Sequence, residues 1–217
     1  TRRGDTIIEV LFALTMFSLV AVLSITIMNL GVAIAEGNFE LNMARNEVDA
    51  QAEAIRFIQN SYLIERELTD KKYEPLWTKI EDIANKNASV IALADISSCE
   101  TFFNDNAEKG FVVNTRKIDP DDVNATIKTG ASIAPATLGA RLIYASDDVA
   151  LNQDTGTTLA RSEGILVLPI KSSDSTSNPQ FYDFHIYTCW ISPQSKRSTT
   201  TGTILRLYNP EFKESSH

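Results

Sequence analysis

A single carboxylate, Glu9, lies at the start of a long apolar run, and its position poses a chemical problem. Residues 10–35 contain no charged side chain. A carboxylate inside a bilayer costs about 2.5 kcal/mol or more unless it finds a partner. A simple membrane anchor does not supply such a partner. The position of Glu9 therefore indicates a role beyond anchoring.

Two cysteines, Cys99 and Cys189, are the next residues with a chemistry of their own. Neither belongs to a CxxC motif, and one pair of cysteines cannot make a structural zinc site. In a protein whose body lies outside the cytoplasm, two thiols predict one disulfide. Closing a loop of about 90 residues would stabilise the fold by roughly 4 kcal/mol in the chain-entropy model. The alternative is two buried, unpaired cysteines.

The sequence carries no recognisable catalytic motif. It has no HExxH, GxSxG, P-loop or GxGxxG, and its only histidines are His185 and His217. We therefore predict that the protein is not an enzyme, with no cofactor and no metal site, and that His185 lies on the surface of a sheet. Acidic clusters at 119–122 and 147–154 could offer oxygen ligands to Ca²⁺, but neither fits an EF-hand, and we expect solvated turns.

The charge balance limits the partners of the protein. Its 217 residues include 28 acidic and 20 basic side chains, for a formal net charge of −8. This balance favours solubility and argues against a nucleic-acid-binding surface. We expect one anchored domain with no specific nucleic-acid partner.

The apolar run is the first element that must position these residues. Residues 10–35 would form a helix of about 39 Å, longer than the hydrocarbon core of about 30 Å. Arg2 and Arg3 precede it, which predicts a cytoplasmic N-terminus and a body on the other side of the membrane. A secretory signal peptide would have a shorter apolar core and a small-residue cleavage site. Here the run continues into charged, helix-favouring sequence, which predicts an uncleaved anchor.

Gly4 and the six residues that follow it, DTIIEV, resemble the cleavage and methylation motif of type IV pilins and pseudopilins. In that family a membrane peptidase cuts after the glycine and methylates the new N-terminal residue. The resemblance implies cleavage between Gly4 and Asp5, methylation of Asp5, and Glu9 as the glutamate that stands fifth after the cut. It also implies that Glu9 pairs with the N-terminal amine of a neighbouring subunit. Asp5 departs from the phenylalanine that is common there, and its carboxylate could alter that pairing.

The alternative for Glu9 is a carboxylate solvated at the membrane interface. The resemblance implies a precursor inserted in the inner membrane that becomes a subunit of an extracellular filament supporting adhesion, motility or surface contact. Its partners would be copies of itself, the prepilin peptidase and the pilus assembly machinery. Two alternatives stay open: a minor pilin or pseudopilin of a secretion or DNA-uptake machine, and a membrane-anchored receptor domain that forms no polymer.

The remaining sequence predicts an α+β fold, in which a long N-terminal helical spine packs on a C-terminal antiparallel β-sheet, as in the pilin fold. Residues 1–4 would end a leader peptide, 5–36 form the membrane helix, and 37–68 continue it as an amphipathic helix with Gly31 and Gly37 as bends or melted points. Its apolar stripe comprises Ala44, Val48, Ala52, Ile55, Ile58 and Tyr62. Polar positions that include Gln59 are expected to face mostly water or a neighbour.

Residues 69–98 are predicted to form an αβ connector, with a short helix starting at Pro75. Residues 99–217 are predicted to form the antiparallel sheet, because short apolar runs alternate there with turn signals. The expected strands are 111–113, 141–144, 164–170, 181–191 and 203–208, the last two joined as a hairpin with a long loop.

Overall fold

A computed structural model describes residues 5–86, 90–136, 162–172, 179–192 and 196–209. The chain divides into two compact units, Thr1–Glu40 and Leu41–His217. The fold class is α+β, with a long apolar N-terminal helix and a C-terminal antiparallel sheet of five strands. The strand predicted at 141–144 lies outside the described residues.

The first element is one helix, α1 (Asp5–Glu65), which ends three residues before the predicted Leu68. α1 stays helical at Gly31 and Gly37, so neither glycine melts it. Apart from the adjacent residues and the surrounding backbone of α1, no atom lies within 4 Å of where a Cβ would stand on either glycine. Their cost to the helix is therefore only the propensity of about 1 kcal/mol each.

The second part of α1 is amphipathic, and its apolar stripe is buried. All six residues predicted for the stripe are at most 8% exposed, and Ile55 and Ile58 are fully buried. Five of its residues pack into the core that α1 shares with the sheet, and Ala44 packs in a smaller cluster with Trp190. The water-facing position predicted for Gln59 is wrong, because its side chain is 5% exposed and hydrogen-bonds the sheet.

In the part of the chain that the structure describes, three shorter helices follow: α2 (Glu74–Ala84), α3 (Cys99–Asn106) and α4 (Val123–Thr126). The helix predicted from Pro75 is confirmed as α2. Within the connector, residues 90–94 contribute only to a 3-10 turn at Leu93–Asp95. A sheet was predicted to start at Cys99, but α3 starts there instead. The reason is that Cys99, Phe102 and Phe103 have helical spacing and bury one face of α3.

The strands are β1 (Phe111–Val113), β2 (Ile127–Thr129), β3 (Ile133–Ala134), β4 (Ser162–Glu163), β5 (Ile165–Lys171), β6 (Phe181–Ile191) and β7 (Ser198–Tyr208). Five of them form the antiparallel sheet in the order β2-β1-β5-β6-β7, and β3 pairs separately with β4 in parallel. The predicted strands in β1, β5, β6 and β7 are confirmed. β7 begins five residues earlier than predicted, and its register pairs Ser198 with Ile191.

β6 is the central element of the core, because both of its faces are covered. On one face, Trp77 of α2 contacts the rings of Tyr182 and Phe184, with ring centroids 5.9 and 6.5 Å apart. On the other face, Phe102 of α3 lies 5.4 Å from the ring of Tyr187. Successive strand residues point to opposite faces, so the contacts of Tyr182 and Tyr187 place α2 and α3 on opposite sides of the strand.

Two buried glutamines attach α1 to strands of the sheet. Gln51 Nε2 donates to the carbonyl oxygen of Val113 at 2.7 Å, and the Val113 N–H donates to Gln51 Oε1 at 2.9 Å. Gln59 Nε2 donates to the carbonyl oxygen of Tyr208 at 3.0 Å. Gln51 thus satisfies both backbone groups of a buried strand residue, which would otherwise cost free energy.

We expect Gln51→Ala to lower the free energy of unfolding by about 2–4 kcal/mol, because it leaves two buried backbone groups of Val113 without partners. Denaturant unfolding of the full chain, followed by fluorescence of the buried Trp77 and Trp190, measures this. The control is Asn60→Ala, at an exposed amide of the same helix, which should change stability by less than about 0.5 kcal/mol. Equal stabilities for the two variants would contradict the attachment.

Candidate functional site

The described part of the first unit presents an apolar surface. Its large apolar side chains, from Ile7 to Phe39, are each 50–73% exposed. By length and composition α1 could span a membrane, and no residue of its most apolar 18-residue stretch is buried within the structure. A core helix of a soluble domain would be largely covered by its own chain. This surface is therefore available to lipid or to another molecule.

The hydroxyl groups within this surface are satisfied by the helix itself. Each hydroxyl donates to a backbone carbonyl oxygen three or four residues earlier, at 2.8–2.9 Å. The four residues are Thr15, Ser18, Ser24 and Thr26. Such bonds remove the need for water at a polar side chain. These four residues are therefore compatible with a hydrocarbon environment, where an unmet donor costs several kcal/mol.

Glu9 lies within the exposed apolar part of α1, and its own side chain is exposed. Asp5 is the first residue of α1, one helical turn before Glu9. Gly4 lies outside the described residues, so the predicted cleavage between Gly4 and Asp5 stays a prediction, as does methylation of Asp5. The geometry brings positions 5 and 9 to the same end of one helix, where a terminal charge at position 5 would be close to Glu9.

The predicted disulfide is present. Cys99 and Cys189 are bonded across 90 residues of sequence, with their Cα atoms 5.4 Å apart. The alternative of two unpaired thiols is therefore wrong. The bond joins the first residue of α3 to β6, and both cysteines are buried. It ties the helix to the face of the sheet that α1 does not cover, and it suits a compartment that is oxidising.

The prediction that His185 lies on the sheet surface is wrong. Its side chain is only 7% exposed, because residues 90–93 cover that face of β6 and β7. Tyr187 holds this segment: its hydroxyl donates to the Ile91 carbonyl oxygen at 2.8 Å and accepts from the Ile91 N–H at 3.3 Å. Burial lowers the pKa of His185 below its ordinary 6.5, and the Asp183 carboxylate opposes this shift. Sequence periodicity gave no sign of this covering segment.

The described residues contain no group of three or more His, Cys, Asp or Glu side chains placed to hold a metal ion. In the acidic cluster 119–122, two carboxylates accept hydrogen bonds from backbone N–H groups. Asp119 Oδ1 accepts from the N–H of Asp121 at 3.1 Å, and Asp122 Oδ1 accepts from the N–H of Ala125 at 2.9 Å, as the cap of α4. The cluster at 147–154 lies outside the described residues.

Comparison with known proteins adds no family assignment. No family model, curated protein or solved structure matches this chain. Any inference about its role therefore depends on the residues and geometry described above, chiefly the exposed apolar helix and Glu9.

The lowered pKa of His185 predicts a pH dependence of stability. Below pH 6.5 the unfolded chain takes up a proton at this histidine more readily than the folded chain, so the folded state loses stability as the pH falls. We expect wild type to lose more stability than His185→Gln between pH 7.5 and pH 5.5. Thermal unfolding of both proteins across this range measures the difference. A stability difference that is independent of pH would contradict the burial of an uncharged histidine.

Proposed function

We propose that this protein is a subunit of a type IV pilus-like filament, made as a membrane-inserted precursor and assembled through its N-terminal helix. The observation that carries the proposal is an exposed apolar stretch of α1, residues 7–35, with one carboxylate, Glu9, which stands five residues after Gly4. In the precursor, lipid would cover this helix. In the filament, copies of the same helix would cover it.

The energetics favour an assembly role for Glu9. Apolar helices gain little by leaving lipid for one another, so packing and polar contacts must drive their association. The four hydroxyls of the segment are already bonded within α1, which leaves the carboxylate of Glu9 as the one charged side chain among residues 7–35. An N-terminal amine on a neighbouring copy, created by cleavage after Gly4, would offset its cost in a low-dielectric environment.

The second unit suits an extracytoplasmic head. Its disulfide is typical of oxidising compartments, and the basic Arg2 and Arg3 favour a cytoplasmic N-terminus for the precursor. The head would form the outer surface of the filament and contact cells or other surfaces. Abundance in purified filaments would distinguish a major pilin from a minor pilin or a pseudopilin.

We expect both Glu9→Ala and Glu9→Gln to reduce the filament yield at least tenfold in the producing cells, while the amount of protein in the membrane is unchanged. The reason is that both variants remove the charge that would pair with the amine of a neighbouring copy. Filaments sheared from the cells and quantified by immunoblot provide the measurement.

The matched control is Glu53→Ala. Glu53 is an exposed acid on the same helix that pairs with the exposed Arg56, so its loss should leave the yield near that of wild type. Wild-type yields from the two Glu9 variants would overturn the pairing. An absence of filaments containing the wild-type chain would overturn the proposed function and favour an anchored receptor domain.

A further inference from the structure

The second unit contains a cavity that the proposed function does not use. It has a volume of about 300 Å³ and lies between residues 90–93 and the face of β6 and β7 that these residues cover. Its apolar walls include Val90, Ile91, Leu93 and Ile204. The described lining residues carry no acidic or basic side chain other than the imidazole of His185. A charged ligand would therefore lose its hydration without gaining a partner of opposite charge.

The hydrogen bonds around Tyr187 favour one tautomer of His185. The Tyr187 hydroxyl gives its one hydrogen to the Ile91 carbonyl oxygen at 2.8 Å. It can then only accept from His185 Nδ1, which lies 3.3 Å from the hydroxyl oxygen. A hydrogen bond between these two atoms requires the histidine proton on Nδ1, and Nε2 is then an acceptor. Among the described residues none hydrogen-bonds to Nε2, although His185 is more than nine-tenths buried.

His185 is one of the residues that line the cavity, so a ligand that donates a hydrogen bond can use Nε2 as its acceptor. The rings of His185 and Tyr187 are nearly parallel, with an interplanar angle of 21° and centroids 6.0 Å apart, so the wall also offers aromatic surface. A cavity of about 150 Å³ can hold benzene. One of about twice that volume has room for a bicyclic ring.

We propose that this cavity binds a small, neutral aromatic molecule with one N–H or O–H donor, of the indole or phenol class, and that the donor bonds to His185 Nε2. The apolar wall would cover the ring, and the single acceptor would select for the donor. This site would give the head a ligand-binding role that does not depend on the filament.

The test is an NMR titration with indole of the full chain, labelled with ¹⁵N-histidine, in lipid nanodiscs. His217 is the only other histidine and serves as the internal reference. We expect free His185 to be the Nδ1–H tautomer and its Nε2 signal to shift saturably with indole. Indene, a hydrocarbon of the same size without a donor, should bind about tenfold more weakly.

Two variants separate the cavity from nonspecific partitioning. Ala92 lines the cavity, so Ala92→Phe should fill it and abolish the saturable shift. Ala94 is an exposed neighbour outside the lining, so Ala94→Phe should bind indole as wild type does. A proton on Nε2 in the free protein, a shift that does not saturate, or equal affinity in wild type and Ala92→Phe would each overturn the proposal.

Discussion

An apolar helix must be covered by lipid or protein, and this constraint governs the first unit of the chain. From Ile7 to Phe39 the large side chains of α1 are exposed, and the hydroxyls among them bond to the helix's own carbonyls. Hydrophobicity alone does not distinguish lipid from a second helix as the cover. A single charged group can do so, because its cost depends on whether the cover supplies a counter-charge. Glu9 is the one charged side chain among residues 7–35, and under the proposed function it would have that effect.

The second unit, in contrast, is stabilised by a buried core of its own. There α1 is amphipathic, and its stripe is buried in the core, with Gln51 and Gln59 bonded to the backbones of Val113 and Tyr208. The opposite face of β6 is covered by α3 through the Cys99–Cys189 bond and by residues 90–93 through Tyr187. The second unit therefore has a core of its own, covered on both faces of β6 and cross-linked by the disulfide.

Periodicity predicted the elements that depend on local pattern. The stripe from Ala44 to Tyr62, the helix beginning near Pro75 and the long strand β6 all repeat apolar residues at helical or strand spacing. The wrong predictions concern side chains whose exposure is set by tertiary contacts. The polar side chain of Gln59 predicts a water-facing position, but its amide donates a hydrogen bond to a carbonyl oxygen of a strand. His185 alternates as a surface residue would, but a segment distant in sequence covers it.

The start of β7 shows a further limit, since its Ser/Thr run has no apolar alternation and is ordered by pairing with β6. For the candidate site, Glu9 could be identified from the sequence alone, because it is a single charge next to a long apolar run. The disulfide followed from counting cysteines and considering the compartment. The cavity beside His185 could not be predicted, because it forms only when residues 90–93 lie on the sheet.

Intact-mass and N-terminal analysis of the protein in filaments sheared from the producing cells tests the central claim most directly. The account predicts abundant protein that lacks residues 1–4 and begins at an N-methylated Asp5. Protein found only in the membrane fraction, with residues 1–4 still attached, would contradict it. In that case α1 would be a permanent anchor, and Glu9 would have no neighbouring amine to pair with.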